Sequence, residues 1–321
     1  MKLFKLGSMI LAAVLFLAAN AAMADTFGPT GSQFAIDFVP ISGATNPSSG
    51  YGIVNNAYRM GTKEITNDQW DKFKANVGGT VTGSQGGYSS NSFFTGTNVP
   101  TDSVSWYEAA QFVNYLNTST NHQAAYNFTG TQGTSNYTLT TWDSADAATN
   151  ADGTKNLYRN KAAFYVLPTE NEWVKAAYWN GTTLQEYATK SGETLHQGNG
   201  TNGGWNYYDN GYAISPYGPW NVGSGSQELN GTYDMMGNVW EWMESPYSDT
   251  NYGAGSWRGL RGGDWNYSSD VLPASYRDNY YPADEGDSIG FRVASVPEPG
   301  SVIMLVGLAL TALLYWVRKH V

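Results

Sequence analysis

Cysteine is absent from all 321 residues. That excludes disulfide staples and thiol chemistry. Charge is also scarce, at 14% of residues, and positive charge is the scarcer sign: 17 Lys and Arg stand against 27 Asp and Glu, a net charge of −10. A chain this acidic, with no basic run, is a poor match for nucleic acid or anionic lipid and remains compatible with divalent cations. Histidine occurs three times, at His122, His196 and His320. No internal repeat is present.

Aromatic residues are plentiful, at 15%, alongside 37 glycines. This is not the composition of a disordered chain. It predicts a domain with much irregular structure, held by aromatic clusters and turns. Both ends read as processing signals. Residues 1–24 carry Lys2 and Lys5, then the apolar run Met9 to Ala19, then the small-residue site Ala22-Met23-Ala24, which together predict a signal peptide. At the other end Ser301 to Val317 contains no charge and is long enough to span a bilayer, with Arg318 and Lys319 after it. Val296-Pro297-Glu298-Pro299 before that helix resembles the PEP-CTERM sorting signal of Gram-negative bacteria. The resemblance implies export, a membrane anchor until an exosortase-type machinery removes the tail, and a place at the cell surface or in the exopolysaccharide matrix. The division is then 1–24 signal peptide, 25–295 folded domain, 296–321 sorting signal. Without the two signals the domain carries 13 basic and 26 acidic residues, a net charge of −13.

Three helices announce themselves by capping boxes: Thr66 to Gln69, Ser105 to Glu108 and Thr169 to Glu172. Trp70, Phe73 and Val77 line one face of the first. Ala109, Phe112, Val113 and Leu116 line the second, and Trp173, Ala176 and Ala177 the third, with Asn180-Gly181 as its stop. Strand-like pieces lie at Gln33 to Val39, Ala163 to Leu167, Trp257 to Leu260 and Gly290 to Ala294. The polar middle, Thr118 to Asn160, reads as loops or a small hairpin.

The stretch YDMMGNVWEW, 233–242, crowds Asp234, Glu241 and two tryptophans into ten positions with no basic residue. Taken alone, Asp234 could cap a turn and Glu241 could be solvated. Six motifs occur in order: EITNDQW at Glu64, DSVSWYEAAQFVNYLN at Asp102, YVLPTENEW at Tyr165, YDMMGNVWEW at Tyr233, GLRGGDW at Gly259 and GFRVA at Gly290. This series resembles the formylglycine-generating enzyme, or sulfatase-modifying factor, family over nearly the whole mature chain. The resemblance implies an α+β, C-type-lectin-like fold with low regular secondary structure. It also implies structural calcium, which takes six to eight oxygens. The first site would use Asp234, Gly237, Val239 and Glu241. The second would use Asn199, Gly200, Asn210 and Tyr212, with Asp209 as a substitute donor.

The family's enzymes oxidise a substrate cysteine with copper held by two cysteines. Here Tyr267 stands at the first of those positions and the second falls between Ser269 and Leu272, so copper is not expected. Relatives acting on thiol-histidine substrates use an iron bound by histidines, and two scattered imidazoles do not match that donor set. A hydrolase on Asp264 and Asp270 lacks supporting spacing. Some ligand-binding proteins use the same fold as a display platform, with a variable loop between the RGG-W and GFR motifs. That segment here carries Asp264, Asn266, Tyr267, Arg277, Asn279 and Tyr280. Rigid rings beside adaptable amides suit recognition of a glycan or protein. The expected function is a calcium-stabilised, non-catalytic binding or scaffold protein. The alternative is an enzyme with cysteine-independent chemistry.

Overall fold

The computed structural model describes residues 23–77, 93–131, 136–201, 203–248 and 251–296. The signal peptide except Met23 and Ala24, and the apolar tail Ser301–Val317, lie outside the described residues. No helix among the described residues is long and apolar enough to cross a membrane.

Two sheets and three helices enclose one aromatic core. The first sheet has five strands in the order β1 (Met23–Phe27), β2 (Phe34–Ile41), β3 (Tyr58–Gly61), β13 (Ala294–Ser295) and β8 (Tyr165–Val166). Its pairs are antiparallel, and β13, the last strand among the described residues, closes between β3 and β8. The second has four strands in the order β11 (Asp278–Tyr280), β10 (Arg258–Arg261), β9 (Trp240–Pro246) and β12 (Ile289–Gly290). Two small hairpins, β4 (Asn127–Thr129) with β5 (Thr138–Thr140) and β6 (Ala147–Thr149) with β7 (Lys155–Asn160), fill the polar middle.

The helices are α1 (Asn67–Asn76), α2 (Trp106–Ser119) and α3 (Glu170–Tyr178). All three capping boxes form as the sequence predicts: Thr66, Ser105 and Thr169 each accept from the N3 amide, while the N3 side chain returns to the cap amide. Each cap satisfies donors a helix cannot satisfy itself, worth about 1 kcal/mol. The predicted apolar faces are buried except Val77, which is half-buried. Trp70 packs on Phe73 at 5.1 Å, Phe112 at 5.8 Å and Phe291 at 6.0 Å.

Three differences from the sequence reading have physical causes. The predicted strand Gly290 to Ala294 divides into β12 and β13, because its two ends join different sheets. The polar middle forms two hairpins rather than one. Trp240–Pro246, for which the sequence reading named no strand, is a strand buried along nearly its whole length, so it shows no in–out alternation.

Candidate functional site: an exposed aromatic face beside a buried acid hub

Asp234 and Glu241 lie in the interior, on either side of the tight bend at Gly237. Gly237 has φ +79, and a Cβ there would meet the Asn206 carbonyl at 2.1 Å, so only glycine fits. Asp234 Oδ1 accepts from the Trp220 indole at 2.9 Å and Oδ2 from the Gly223 amide at 2.6 Å. Glu241 takes the Arg292 guanidinium, with Nη2 at 2.6 Å from Oε1 and Nε at 2.7 Å from Oε2. The Trp173 indole adds a bond at 2.8 Å.

Two acids missed in the sequence complete the hub. Glu64 accepts from Asn238 Nδ2 at 2.7 Å and from the Val239 amide at 3.2 Å. Glu228 accepts from the Trp205 indole, the Thr232 hydroxyl and the amides of Met235 and Met236. Burial pushes the carboxyls of Glu64, Asp234 and Glu241 up, against the pull of Arg292, and pushes Glu228 up to about 8.

Both carboxylates of the expected calcium set, Asp234 and Glu241 beside Gly237 and Val239, are thus engaged by N–H donors of the fold. The ion needs oxygens turned inward with their lone pairs free. Here the oxygens of both acids face N–H donors, and the positive charge against Glu241 is an arginine. The two segments of the second set run side by side, with Gln197 Nε2 donating to the Gly211 carbonyl at 2.8 Å. Asn199 Oδ1 accepts from the Thr201 amide and hydroxyl, in the turn that Gly200 makes at φ +78. Asn210 donates to Asp209, and the Tyr212 hydroxyl donates to Asn266 Oδ1 at 3.3 Å. Among the described residues no group of three or more His, Asp or Glu side chains is placed to hold a metal. His122 stacks on Phe164 and His196 lies edge-on to Trp205, so they do not share a site.

The second feature starts where β10 ends. Gly262 and Gly263, at φ +99 and +74, turn the chain sharply; a Cβ on Gly263 would press into Val271 at 2.7 Å. Asp264 follows, buried, and its Oδ1 accepts from the amides of Asn266 at 2.8 Å and Tyr267 at 3.1 Å. That turn fixes Tyr267, which is 49% exposed. Its carbonyl is held by the Tyr208 amide at 2.9 Å.

Around Trp265 the rings of Tyr217 (5.4 Å, stacked), Tyr212 (5.6 Å) and Phe94 (5.5 Å, edge-on) form a continuous surface cluster, extended by Tyr208 and Phe93. Tyr217 is 56% exposed and Phe93 65%. Inside this cluster two buried polar atoms make no well-formed hydrogen bond, Trp265 Nε1 and Asp264 Oδ2, the Asp264 carboxyl lying beside the Ser288 hydroxyl. Burial raises the Asp264 carboxyl to about 6; the Ser288 hydroxyl and the two turn amides hold it down, and Asp287 pushes it further up.

The remaining expected surface residues stand apart from this cluster. Arg277 is tied to Glu170 at 2.7 and 2.8 Å and to the Tyr247 carbonyl, so its charge is used inside the fold. Asn279 and Tyr280 sit on edge strand β11, opposite Gly259 and Arg258. Asp270 is exposed and bonded to Ser268, while Asp264 is buried. Sequence reasoning missed Phe93, Tyr208 and Tyr217. The signal was the tyrosine density of WNYYDNGYAISPYGPW, 205–220, which reads equally well as loop.

The sequence matches the sulfatase-modifying factor enzyme 1-like domain over residues 27–296. The chain belongs to that family. Residues 295–319 match the PEP-CTERM protein-sorting motif. That motif indicates export through a sorting system to the cell surface and recognition by exosortase machinery. Among curated relatives, a hercynine oxygenase of Mycolicibacterium thermoresistibile is 31% identical over 147 residues, covering 40% of this chain and 31% of that protein. The chain therefore spans about a third of the length of that oxygenase. The chaperone protein LppX of Paenibacillus barcinonensis is 28% identical over 254 residues, covering 74% of this chain and 79% of its own. Among solved structures, Treponema denticola variable protein 1 superposes with a TM-score of 0.58 at 24% identity, over 86% of this chain and all of its own. CarF gives 0.56 at 23%, over 82% and 98%. Both likenesses establish the fold, an α+β architecture of low regularity.

Proposed function

We propose that this family member is an exported recognition domain that binds a ligand at the aromatic face around Asp264, Trp265 and Tyr267 and performs no copper-dependent oxidation. The cluster itself carries the reading: exposed rings surround a buried carboxylate with one oxygen that makes no well-formed hydrogen bond and an indole whose N–H is unpaired. Buried polar groups are almost always paired inside a protein, so such a couple beneath exposed rings is a place where ligand hydroxyls fit. The missing cysteines support the second half, because Tyr267 supplies a phenol where copper chemistry needs a thiolate. The domain's negative charge disfavours polyanions, so the favoured ligand is a neutral glycan of the cell surface or exopolysaccharide matrix. A glycan array probed with the mature protein tests this; neutral glycans should bind, and binding confined to acidic glycans or absent altogether would overturn it. A sulfatase-derived peptide incubated with copper should yield no aldehyde.

A second reading, an enzyme with cysteine-independent chemistry, draws support from one observation. Asp264, with its carboxyl near 6 and one oxygen that makes no well-formed hydrogen bond, suits general acid–base work close to neutral pH. Turnover of a bound glycan that Asp264→Asn abolishes would establish that reading; binding without turnover would set it aside.

A further inference from the structure

A second surface element, on the loop before β10, is unused by anything above. Trp257 is 54% exposed, and the backbone that presents it is heavily restrained. Arg258, fully buried, lies over the rings of Trp106 at 4.4 Å and Tyr158 at 4.0 Å. Its guanidinium donates to the carbonyls of Gly253, Ala254 and Ser256, with no carboxylate among the described residues paired to it. The Tyr158 hydroxyl holds the Gly253 carbonyl at 2.7 Å and the Tyr107 hydroxyl holds that of Ala254 at 2.8 Å. Ser256 closes the loop on Gly253 in both directions, at 3.0 and 3.1 Å. A buried cation without an acid is costly. Its contacts are spent on fixing a surface loop whose outward side chain is an indole.

Beside that indole runs a groove of about 530 Å³, lined by Tyr247, Ser248, Asn251, Ser256 and Asn279 among others. Among the described residues no carboxylate, ammonium or guanidinium lines it. None of the hydrogen bonds among the described residues uses the side-chain amides of Asn251 and Asn279. The ring of Tyr247 is covered by the Arg277 guanidinium at 4.2 Å, which leaves Trp257 as the free ring face.

We propose that this groove is a binding subsite for a neutral saccharide, with a pyranose stacked on the Trp257 indole and its hydroxyls bonded by the amides of Asn251 and Asn279. The described lining, being uncharged, gives no purchase to phosphate, carboxylate or ammonium. A proline-rich peptide docks in aromatic-lined grooves, and the second ring here is already capped. A saccharide needs one apolar platform with donors and acceptors at its edge, which is what the groove provides. The pinned loop is ready-made for this, because an indole already held in place loses little freedom on binding. The proposal stands on its own observations and does not depend on the face around Asp264.

Affinity electrophoresis of the mature protein in gels containing a β-glucan, a galactomannan or starch tests it, with melting temperature recorded for every variant. Trp257→Ala should weaken retardation by about tenfold or more, as the loss of an aromatic anchor does, without changing the melting temperature. Trp257→Phe should keep part of the retardation, and Asn251→Ala with Asn279→Ala should lose severalfold. If Trp257→Ala migrates as the wild type while Asp264→Asn does not, the groove is not a subsite and the other face stands alone. If only the Trp257 variants lose retardation, the groove is confirmed and the Asp264 face fails. Retardation by none of the three polymers, or binding of a proline-rich peptide that Trp257→Ala abolishes, would overturn the saccharide assignment.

Discussion

Glu241 and Asp264 are both buried acids close to β10, and they are treated in opposite ways. In the hub around Arg292, every carboxylate oxygen of Glu64, Glu228, Asp234 and Glu241 accepts at least one N–H or O–H. In the face around Trp265, one oxygen of Asp264 and the indole N–H are left over, beneath rings that stand open to solvent. In a fold with short strands and long irregular segments, much of the backbone has no ladder to join, and buried carboxylates collect its stray donors instead. Where that collection is complete the acid serves stability. At Asp264, beneath the open rings, the incomplete collection is what the proposed ligand binding draws on.

The largest expected effect comes from breaking the complete side. Arg292→Met leaves four buried acids without their central cation. Losing one partner of a buried pair costs about 3–5 kcal/mol, which in a domain of this size corresponds to roughly 10 °C of melting temperature. Arg292→Lys keeps the charge but not the fork, and should fall between. A wild-type melting curve for Arg292→Met would show that the hub does not hold the fold.

A smaller effect should follow pH. Burial pushes Glu228 and Glu108 up to about 8 from an ordinary 4.5, and Asp102 up to about 6 from 3.8. The folded state therefore binds these protons more tightly than the unfolded chain. The stability they confer is complete below the ordinary carboxylate range and is lost as pH rises from there through about 8. Thermal scans should give a lower melting temperature at mildly alkaline than at mildly acidic pH. A flat profile would contradict the shifts, and Glu108→Gln should remove part of the slope.

The smallest expected effect is that of a chelator. With the oxygens of Asp234 and Glu241 already facing N–H donors, EDTA should leave the melting temperature unchanged. A fall restored by added calcium would show that these acids hold an ion after all.

The sequence made the helices legible because a capping box is local: cap and N3 residue lie three apart, and all three formed. It did not disclose the acid hub because the partner that decides Glu241's role, Arg292, is 51 residues away, and spacing says nothing about that contact. Without Arg292 in view, a cluster of acids invites a metal. Trp240–Pro246 was unreadable as a strand for a related reason: buried on both faces, it shows no alternation. The aromatic face was half legible. Asp264, Asn266 and Tyr267 fall where the family resemblance directed attention. Tyr208, Tyr212 and Tyr217 come from a separate irregular segment, brought alongside by bonds such as that of the Tyr208 amide to the Tyr267 carbonyl.

Asp264→Asn tests the contrast most directly. Asparagine keeps an acceptor for the Asn266 and Tyr267 amides while removing a buried charge. The melting temperature should hold or rise, and retention on neutral polysaccharide should fall by about tenfold. A melting temperature as low as that of Arg292→Met, with retention intact, would place Asp264 among the structural acids and contradict the account.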